Sequence, residues 1–283
     1  MNDNMTFFYK PTSVLYILLY TTNVRRLFMN YKAIIKDILN NVSYTEDNNY
    51  FSFFDNGDIR PEWSRRLNDY LTINKADLNM KVNYENYLNA INTNRNLKKI
   101  YTFIKEKKGI KVDLASGPSG FFYPIVANST ENDIVIVTDA CKYVLDDINN
   151  ICQKENFFIF DIDLDKSLPF KENSVSVFSS NLLSNCKEYE QIIKEVYKCL
   201  ERKGRFVVIE WFYEKEKATY KYLDDNNQII VSMDKYIEYC ERLGFKYIGN
   251  RLMKTRKGKL DGDLFPLDEN EVVYEKALFF EKN

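Results

Sequence analysis

Apolar side chains recur in steps of three and four along residues 12–40, at Val14, Ile17, Leu18, Val24, Leu27, Phe28, Tyr31, Ile34, Ile35 and Ile38, with one gap at Thr21. That spacing predicts an amphipathic helix, or two in series. Tyr50-Phe51-Ser52-Phe53-Phe54 then runs into Asp55-Asn56-Gly57-Asp58. Asn-Gly supplies the positive φ angles of a tight turn, so a small hairpin is expected here. Helical periodicity returns from Pro61 to Leu71 and from Asn83 to Lys107. Residues 1–104 therefore read as a mostly helical segment.

From Ile110 the texture changes to short apolar runs alternating with helical stretches, the pattern of βαβ units and a parallel sheet. Strands are expected at Lys111–Leu114, Ile134–Thr138, Phe157–Ile162, Val175–Ser179 and Arg205–Glu210, with helices near Gly120–Ala127, Cys141–Asn150 and Glu188–Leu200. A hairpin around Asp224-Asp225-Asn226-Asn227, a helix Met233–Leu243 closed by Gly244, and strands Lys246–Met253 and Val272–Glu281 complete a fold of seven strands.

Composition narrows the chemistry. The 283 residues include 40 Lys+Arg against 41 Asp+Glu, a net charge of -1, and no His. Without His there is no Ser-His-Asp or Cys-His machinery, and no metal is expected. The balanced charge argues against a DNA partner. Cys141, Cys152, Cys186, Cys199 and Cys240 are scattered and never spaced as CxxC, so they read as buried apolar residues of a reducing compartment. Val14 to Tyr20, the most hydrophobic window, is far short of the ~18–20 residues of a membrane span. The expected location is cytoplasmic.

The sharpest local feature is Val112-Asp113-Leu114-Ala115-Ser116-Gly117-Pro118-Ser119-Gly120, a strand entering a small-residue turn that opens a helix. Small residues let the backbone approach a ligand and aim N–H groups at its polar end. About twenty residues on, Ile134-Val135-Ile136-Val137-Thr138 ends in Asp139, placed to accept hydrogen bonds from ribose hydroxyls, to cap the following helix, or both. Asp161-Ile162-Asp163-Leu164 ends the third strand before Leu168-Pro169-Phe170. Asp161 and Asp163 share a strand face, so either could accept an exocyclic adenine amine, with Asp163 favoured.

These pieces in this order resemble a class I S-adenosylmethionine-dependent methyltransferase across residues 110–283. The matching slots hold Asp113 to Gly120, Asp139, Asp163 with Leu168-Pro169-Phe170, Val175-Ser176-Val177-Phe178-Ser179-Ser180, and Leu200-Glu201-Arg202-Lys203-Gly204-Arg205. Ala115, Ser119 and Lys203 stand where glycine is usual, and Ser176 where Asp is common. Ala and Ser are small enough for close backbone approach at negative φ, and a working cofactor site is expected.

The resemblance implies a Rossmann-like, seven-stranded, mostly parallel sheet whose last strand runs antiparallel, forming a methyltransferase domain at 105–283. It implies S-adenosylmethionine as cofactor. Asp113 would orient the turn and the cofactor's amino group, and the backbone of Ala115, Ser116 and Gly117 would face the methionine moiety. Asp139 would hold the ribose and Asp163 with the Leu164 backbone the adenine, while Ser180 and Asn181 would line the floor. Tyr84 and Tyr87 are candidate caps.

Glu210 and Tyr213, at and just beyond the end of the fifth strand, are the catalytic candidates, since no His can serve as base. No Asn-Pro-Pro-Tyr or Pro-Cys nucleophile motif is present. The expected function is methyl transfer to an N or O nucleophile of a small molecule, with a homodimer through the N-terminal segment. The alternatives are a methyltransferase acting on RNA or protein and a non-catalytic subunit of the same fold.

Overall fold

A computed structural model describes residues 30–55, 57–73, 80–117, 122, 126, 133–151, 154–259 and 265–283, apart from the side chains of 80–84, 87 and 151. The chain divides into two units, Met1–Asp37 and Ile38–Asn283. Helix α1 (Tyr31–Ile38) opens where Asn30 Oδ1 accepts the Ala33 N–H at 3.0 Å. Residues 12–29 of the 12–40 pattern, the helix expected at 120–127 apart from residues 122 and 126, and the Tyr84 and Tyr87 side chains lie outside the described residues.

The second unit is built on one nine-stranded sheet: β1 (Thr45–Asp47), β2 (Tyr50–Ser52), β3 (Lys111–Leu114), β4 (Val135–Asp139), β5 (Phe157–Asp161), β6 (Val175–Asn181), β7 (Leu200–Tyr213), β8 (Phe245–Lys257) and β9 (Val272–Lys282). Its order is β1-β2-β5-β4-β3-β6-β7-β9-β8, with β2 through β7 parallel and β9 antiparallel between β7 and β8. All seven expected strands are present. Every residue of β3, β4 and β5 is buried, which is why β4 and β5 read as near-continuous apolar runs, while β3 buries Lys111 and Asp113 as well.

The two extra strands come from the hairpin. Its turn is Asn48-Asn49, with Asn48 left-handed at φ 53, and not the Asn56-Gly57 pair. Strand β2 then adds in parallel to β5, and Phe51 is fully buried, its ring 5.3 Å from that of Phe160. Burial of that one large ring places the hairpin on the sheet edge, a tertiary effect that turn chemistry does not report.

Two further elements differ from expectation. The helical run of 83–107 is two helices, α3 (Met80–Thr93) and α4 (Arg95–Lys105), because Asn94 is extended and its side chain accepts from Asn96 N and Leu97 N as an N-cap. The Asp224–Asn227 cluster is not a hairpin but the end of helix α7 (Ala218–Asp225), whose Thr219 and Leu223 are buried at helical spacing. Helices α2 (Glu62–Ile73), α5 (Lys142–Ile151), α6 (Tyr189–Cys199) and α8 (Met233–Leu243, closed by Gly244 at φ 107) stand as the pattern predicts. Among the described residues no helix is long and apolar enough to cross a membrane.

Strand β7 leaves the ladder between Leu200 and Arg205, and Lys203 is left-handed at φ 61. The residue is not glycine, but the glycine backbone is kept. A left-handed L-residue costs about 1–2 kcal/mol, against about 0.5–1 kcal/mol of extra unfolded-chain entropy for glycine. The Lys203–Glu281 pair at 3.4 Å is exposed on the lysine side, so it offsets little of this. Lys203→Gly should therefore raise stability by about 0.5–1 kcal/mol, visible as a Tm increase of about 1–4 °C in a calorimetric scan. An unchanged or lower Tm would contradict the strain.

Candidate active site

The carboxyl ends of β3, β4 and β6 meet around two buried carboxylates. Asp113, 1% exposed, accepts Ser116 Oγ–H at 2.7 Å on one oxygen and Ser179 Oγ–H at 2.9 Å on the other. Asp113 thereby ties its own turn to strand β6. Burial pushes its carboxyl up to about 7, against the pull of the two serines.

The turn Ala115-Ser116-Gly117 is left-handed at both ends, with φ 48 at Ala115 and φ 63 at Gly117. Ala115 thus adopts a glycine conformation, not the negative φ expected of it. The N–H groups of the turn are all taken by β4: Ala115 N donates to Thr138 Oγ1 at 3.3 Å, Ser116 N to Thr138 O at 2.9 Å, and Gly117 N to Asp139 Oδ2 at 2.9 Å. What this turn can offer a ligand is therefore carbonyl oxygen, the right partner for a cofactor's ammonium.

Asp139, also 1% exposed, accepts Gly117 N with Oδ2 and Cys141 N with Oδ1 at 2.8 Å. The second bond goes to the residue that precedes helix α5 and not to a first-turn N–H, so Asp139 fixes the entry to the helix without being its N-cap, and it also stands in the cavity wall. Burial raises this carboxyl to about 6, opposed by the backbone N–H donors and assisted by the charge of Asp161 on the neighbouring strand.

A cavity of about 330 Å³ lies over the turn, lined by Ala115, Ser116, Gly117, Asp139, Asn181, Leu182, Asn185 and Cys186 and walled by Trp63 and Leu67 of α2. It joins five of the sequence-predicted site residues. Ser180 lies behind it, buried, its Oγ–H donating to Leu114 O at 3.0 Å. Asp163 lies on the wall of a separate 280 Å³ recess with Phe53, Ile162 and Lys166, burial raising its carboxyl, and Leu164 is buried beside it in sequence. A larger, 730 Å³ open groove beside the hairpin contains none of the predicted residues.

Trp63, Leu67, Leu182, Asn185 and Cys186 were not picked out by the sequence reading. The available signals were Trp63 as one of two tryptophans, placed just after Pro61, and the Ser-Asn-Leu-Leu-Ser stretch leaving β6. Leu182 is left-handed at φ 58, which turns the chain into the short 3-10 helix Leu183–Asn185 under the cavity.

Glu210 and Tyr213 are outside the cavity wall. Glu210 is fully buried one residue past Ile209, the register partner of Asn181. Its Oε1 accepts Ser184 N–H at 3.1 Å and its Oε2 accepts Ser184 Oγ–H at 2.6 Å, so it supports the 182–185 turn from behind. Tyr213 is buried, its ring 6.0 Å from that of Phe265. The four described cysteines, Cys141, Cys186, Cys199 and Cys240, are free and buried, and burial pushes the Cys186 thiol well up.

Residues 112–208 match the family model of a methyltransferase domain. No curated protein sequence matches the chain. Among solved structures, a candidate methyltransferase of Bacillus halodurans is 12% identical, covering 65% of this chain and 96% of its own, with a TM-score of 0.49. Phosphoethanolamine N-methyltransferase 2 of Haemonchus contortus, solved with phosphomonomethylethanolamine and S-adenosylhomocysteine, is 12% identical over 67% of this chain and 52% of its own, TM-score 0.47. Geranyl diphosphate C-methyltransferase of Streptomyces coelicolor is likewise 12% identical, over 66% and 79%, TM-score 0.47.

Sheet order, the turn after β3, the acid ending β4 and the family match define a Rossmann-like methyltransferase domain. Residues 112–208 thus match a methyltransferase domain set within a Rossmann-like sheet, and S-adenosylmethionine is the cofactor of that class of domain.

Burial raises Glu210 from its ordinary 4.5 to about 7. The folded state thus holds this proton more tightly than the unfolded chain. The resulting contribution is complete below about pH 4.5 and is lost as pH rises through about 7. Asp113 and Asp139 act in the same direction. Denaturant titrations at pH 5 and pH 8 should show the native protein losing on the order of a few kcal/mol, and Glu210→Gln should lose distinctly less. Equal losses in both proteins would show that Glu210 is ionised throughout.

Proposed function

We propose that the chain transfers a methyl group from S-adenosylmethionine to a nitrogen or oxygen nucleophile of a small molecule. The observation that carries this reading is the 330 Å³ cavity in which the turn after β3, Asp139 and Asn181 face one space under the cover of Trp63 and Leu67. The donor set fits the cofactor: a carboxylate with unused lone pairs for ribose hydroxyls, carbonyl oxygens for the amino-acid ammonium, and apolar walls for the adenosyl and methyl groups. When bound, the cofactor supplies an electrophilic sulfonium methyl.

The chain's own part is approach geometry and exclusion of water. Asp139 anchors the ribose and Asp113 holds the turn through Ser116 and strand β6 through Ser179, whereas Asp163 faces the separate recess and is not joined to this space. Asn181 and Leu182 form the floor, with Ser180 beneath. Glu210, titrating near neutrality and joined to the floor through Ser184, is the acid–base candidate within reach of the 182–185 turn, and Tyr213 is the next. The segment before residue 105 serves as the lid through α2, and a cytoplasmic homodimer is the working assembly.

Titration calorimetry with S-adenosylmethionine and then S-adenosylhomocysteine should show micromolar binding of both. Asp139→Asn keeps the shape but replaces one acceptor oxygen with a donor. It should weaken binding by about 1.5–3 kcal/mol, roughly ten- to a hundredfold in Kd. Unchanged affinity in the variant would remove Asp139 from the ribose site, and no binding by the folded native protein would overturn the methyltransferase reading.

A further inference from the structure

Ala140 follows Asp139 directly, and its carbonyl oxygen is gripped from the segment that precedes the domain: Arg60 Nη1–H donates to it at 2.6 Å and Ser64 Oγ–H at 2.5 Å. The same guanidinium forks onto Asp161, Nη1 to Oδ1 and Nη2 to Oδ2, both at 2.6 Å. Asp161 is buried and is the register partner of Asp139 on the adjacent strand. Ser52 Oγ–H adds a third bond to Asp161 at 3.0 Å, and Arg60 lies 4.3 Å over the Phe54 ring. Further along α2, Asn68 Oδ1 accepts Tyr143 N–H at 3.3 Å. Trp63, Ser64, Leu67, Asn68 and the buried Leu71 share one face of that helix. The face that grips β4 and α5 is thus the face that walls the cavity.

We propose that Arg60 is a positioning residue of the cofactor site, neutralising Asp161 so that Asp139 stays an ionised acceptor and clamping α2 so that Trp63 and Leu67 close on the bound cofactor. This rests on the S-adenosylmethionine reading above. The physical need is plain. Two buried carboxylates on adjacent strands cannot both stay charged without a cation, because repulsion and burial drive one to hold a proton. The groups that face this pair are Asp113 on β3, Cys141 at the start of α5, Cys186 beyond β6, and Tyr50 on β2, all acids or neutral; the cation that meets them is Arg60. Burial of Tyr50 and the charge of Asp161 hold that phenol protonated, so it gives Asp161 a hydrogen bond but no positive charge. A bidentate guanidinium satisfies both oxygens of Asp161 and leaves Nη1 to reach the Ala140 carbonyl as well, which an ammonium could not do.

The test uses the full chain carrying Trp211→Phe, so that Trp63 is the one remaining indole of the two in the sequence. S-adenosylhomocysteine is titrated by tryptophan emission between pH 5 and 8. In this background binding should shift the Trp63 emission, and Kd should rise as pH falls through about 6, where Asp139 takes up its proton. Arg60→Ala should raise Kd roughly tenfold or more at pH 7, move the pH midpoint upward by about a unit, and diminish the Trp63 response.

The pair Arg60→Ala with Asp161→Asn should return the midpoint to or below its native position, because the repelling charge is gone, while the Trp63 response stays diminished. A merely structural role would give no such return. Arg60→Lys retains charge without the fork, and should keep the native midpoint with a weaker Trp63 response, a comparison that holds if Arg60→Ala does not fold. Native binding with an unmoved midpoint in Arg60→Ala or in Arg60→Lys together with an unmoved Trp63 response overturns the proposal alone. A native chain that binds no S-adenosylhomocysteine at any pH overturns the cofactor reading and this inference with it.

Discussion

The site depends on one carboxylate spanning two backbone segments. Asp139 accepts Gly117 N–H on one oxygen and Cys141 N–H on the other, which locks the turn after β3 to the start of α5 across the end of β4. Charge-assisted bonds of this kind in a buried place are among the stronger polar contacts a protein makes. Much follows from it. The turn is pulled back onto β4, its N–H groups are consumed there, and Ala115 is held left-handed where glycine would be relaxed. A carboxylate has about four lone-pair directions, and two are used in this way. The remainder face a cavity.

Four of the buried carboxylates of this His-free chain are handled in different ways. Asp161 is paired with a guanidinium, Asp139 with backbone donors, Asp113 with serine hydroxyls, and Glu210 with both a backbone N–H and the hydroxyl of Ser184. Burial raises Asp113 and Glu210 to about 7 and Asp139 to about 6, each opposed by the donors it accepts from. The two that approach neutrality hold a turn and a floor in place.

The parallel core was legible because strands buried on both faces leave continuous apolar runs, as in Ile134–Thr138 and Phe157–Ile162, and because Gly244 marks its helix end plainly. The acid ending β4 was legible for the same reason, since strand and helix periodicities bracket it. What escaped was set by partners far away in sequence. Trp63 and Leu67 gain their place from Arg60 and Ser64 bonding residues 76 to 101 positions on. Strand β2 owes its place to the burial of Phe51 against Phe160. Ala115 shows a subtler limit: side-chain size was read correctly as small, yet the φ angle is imposed by Thr138 and Asp139.

The most direct measurement is a crystal structure of the full chain with S-adenosylhomocysteine. The account predicts the adenosyl group in the cavity over Ala115–Gly117, both ribose hydroxyl oxygens about 2.6–3.0 Å from the Asp139 carboxylate, and the Trp63 ring against the ligand. A ligand seated in the open groove beside Asn48 and Lys142, or a ribose turned away from Asp139, would contradict it.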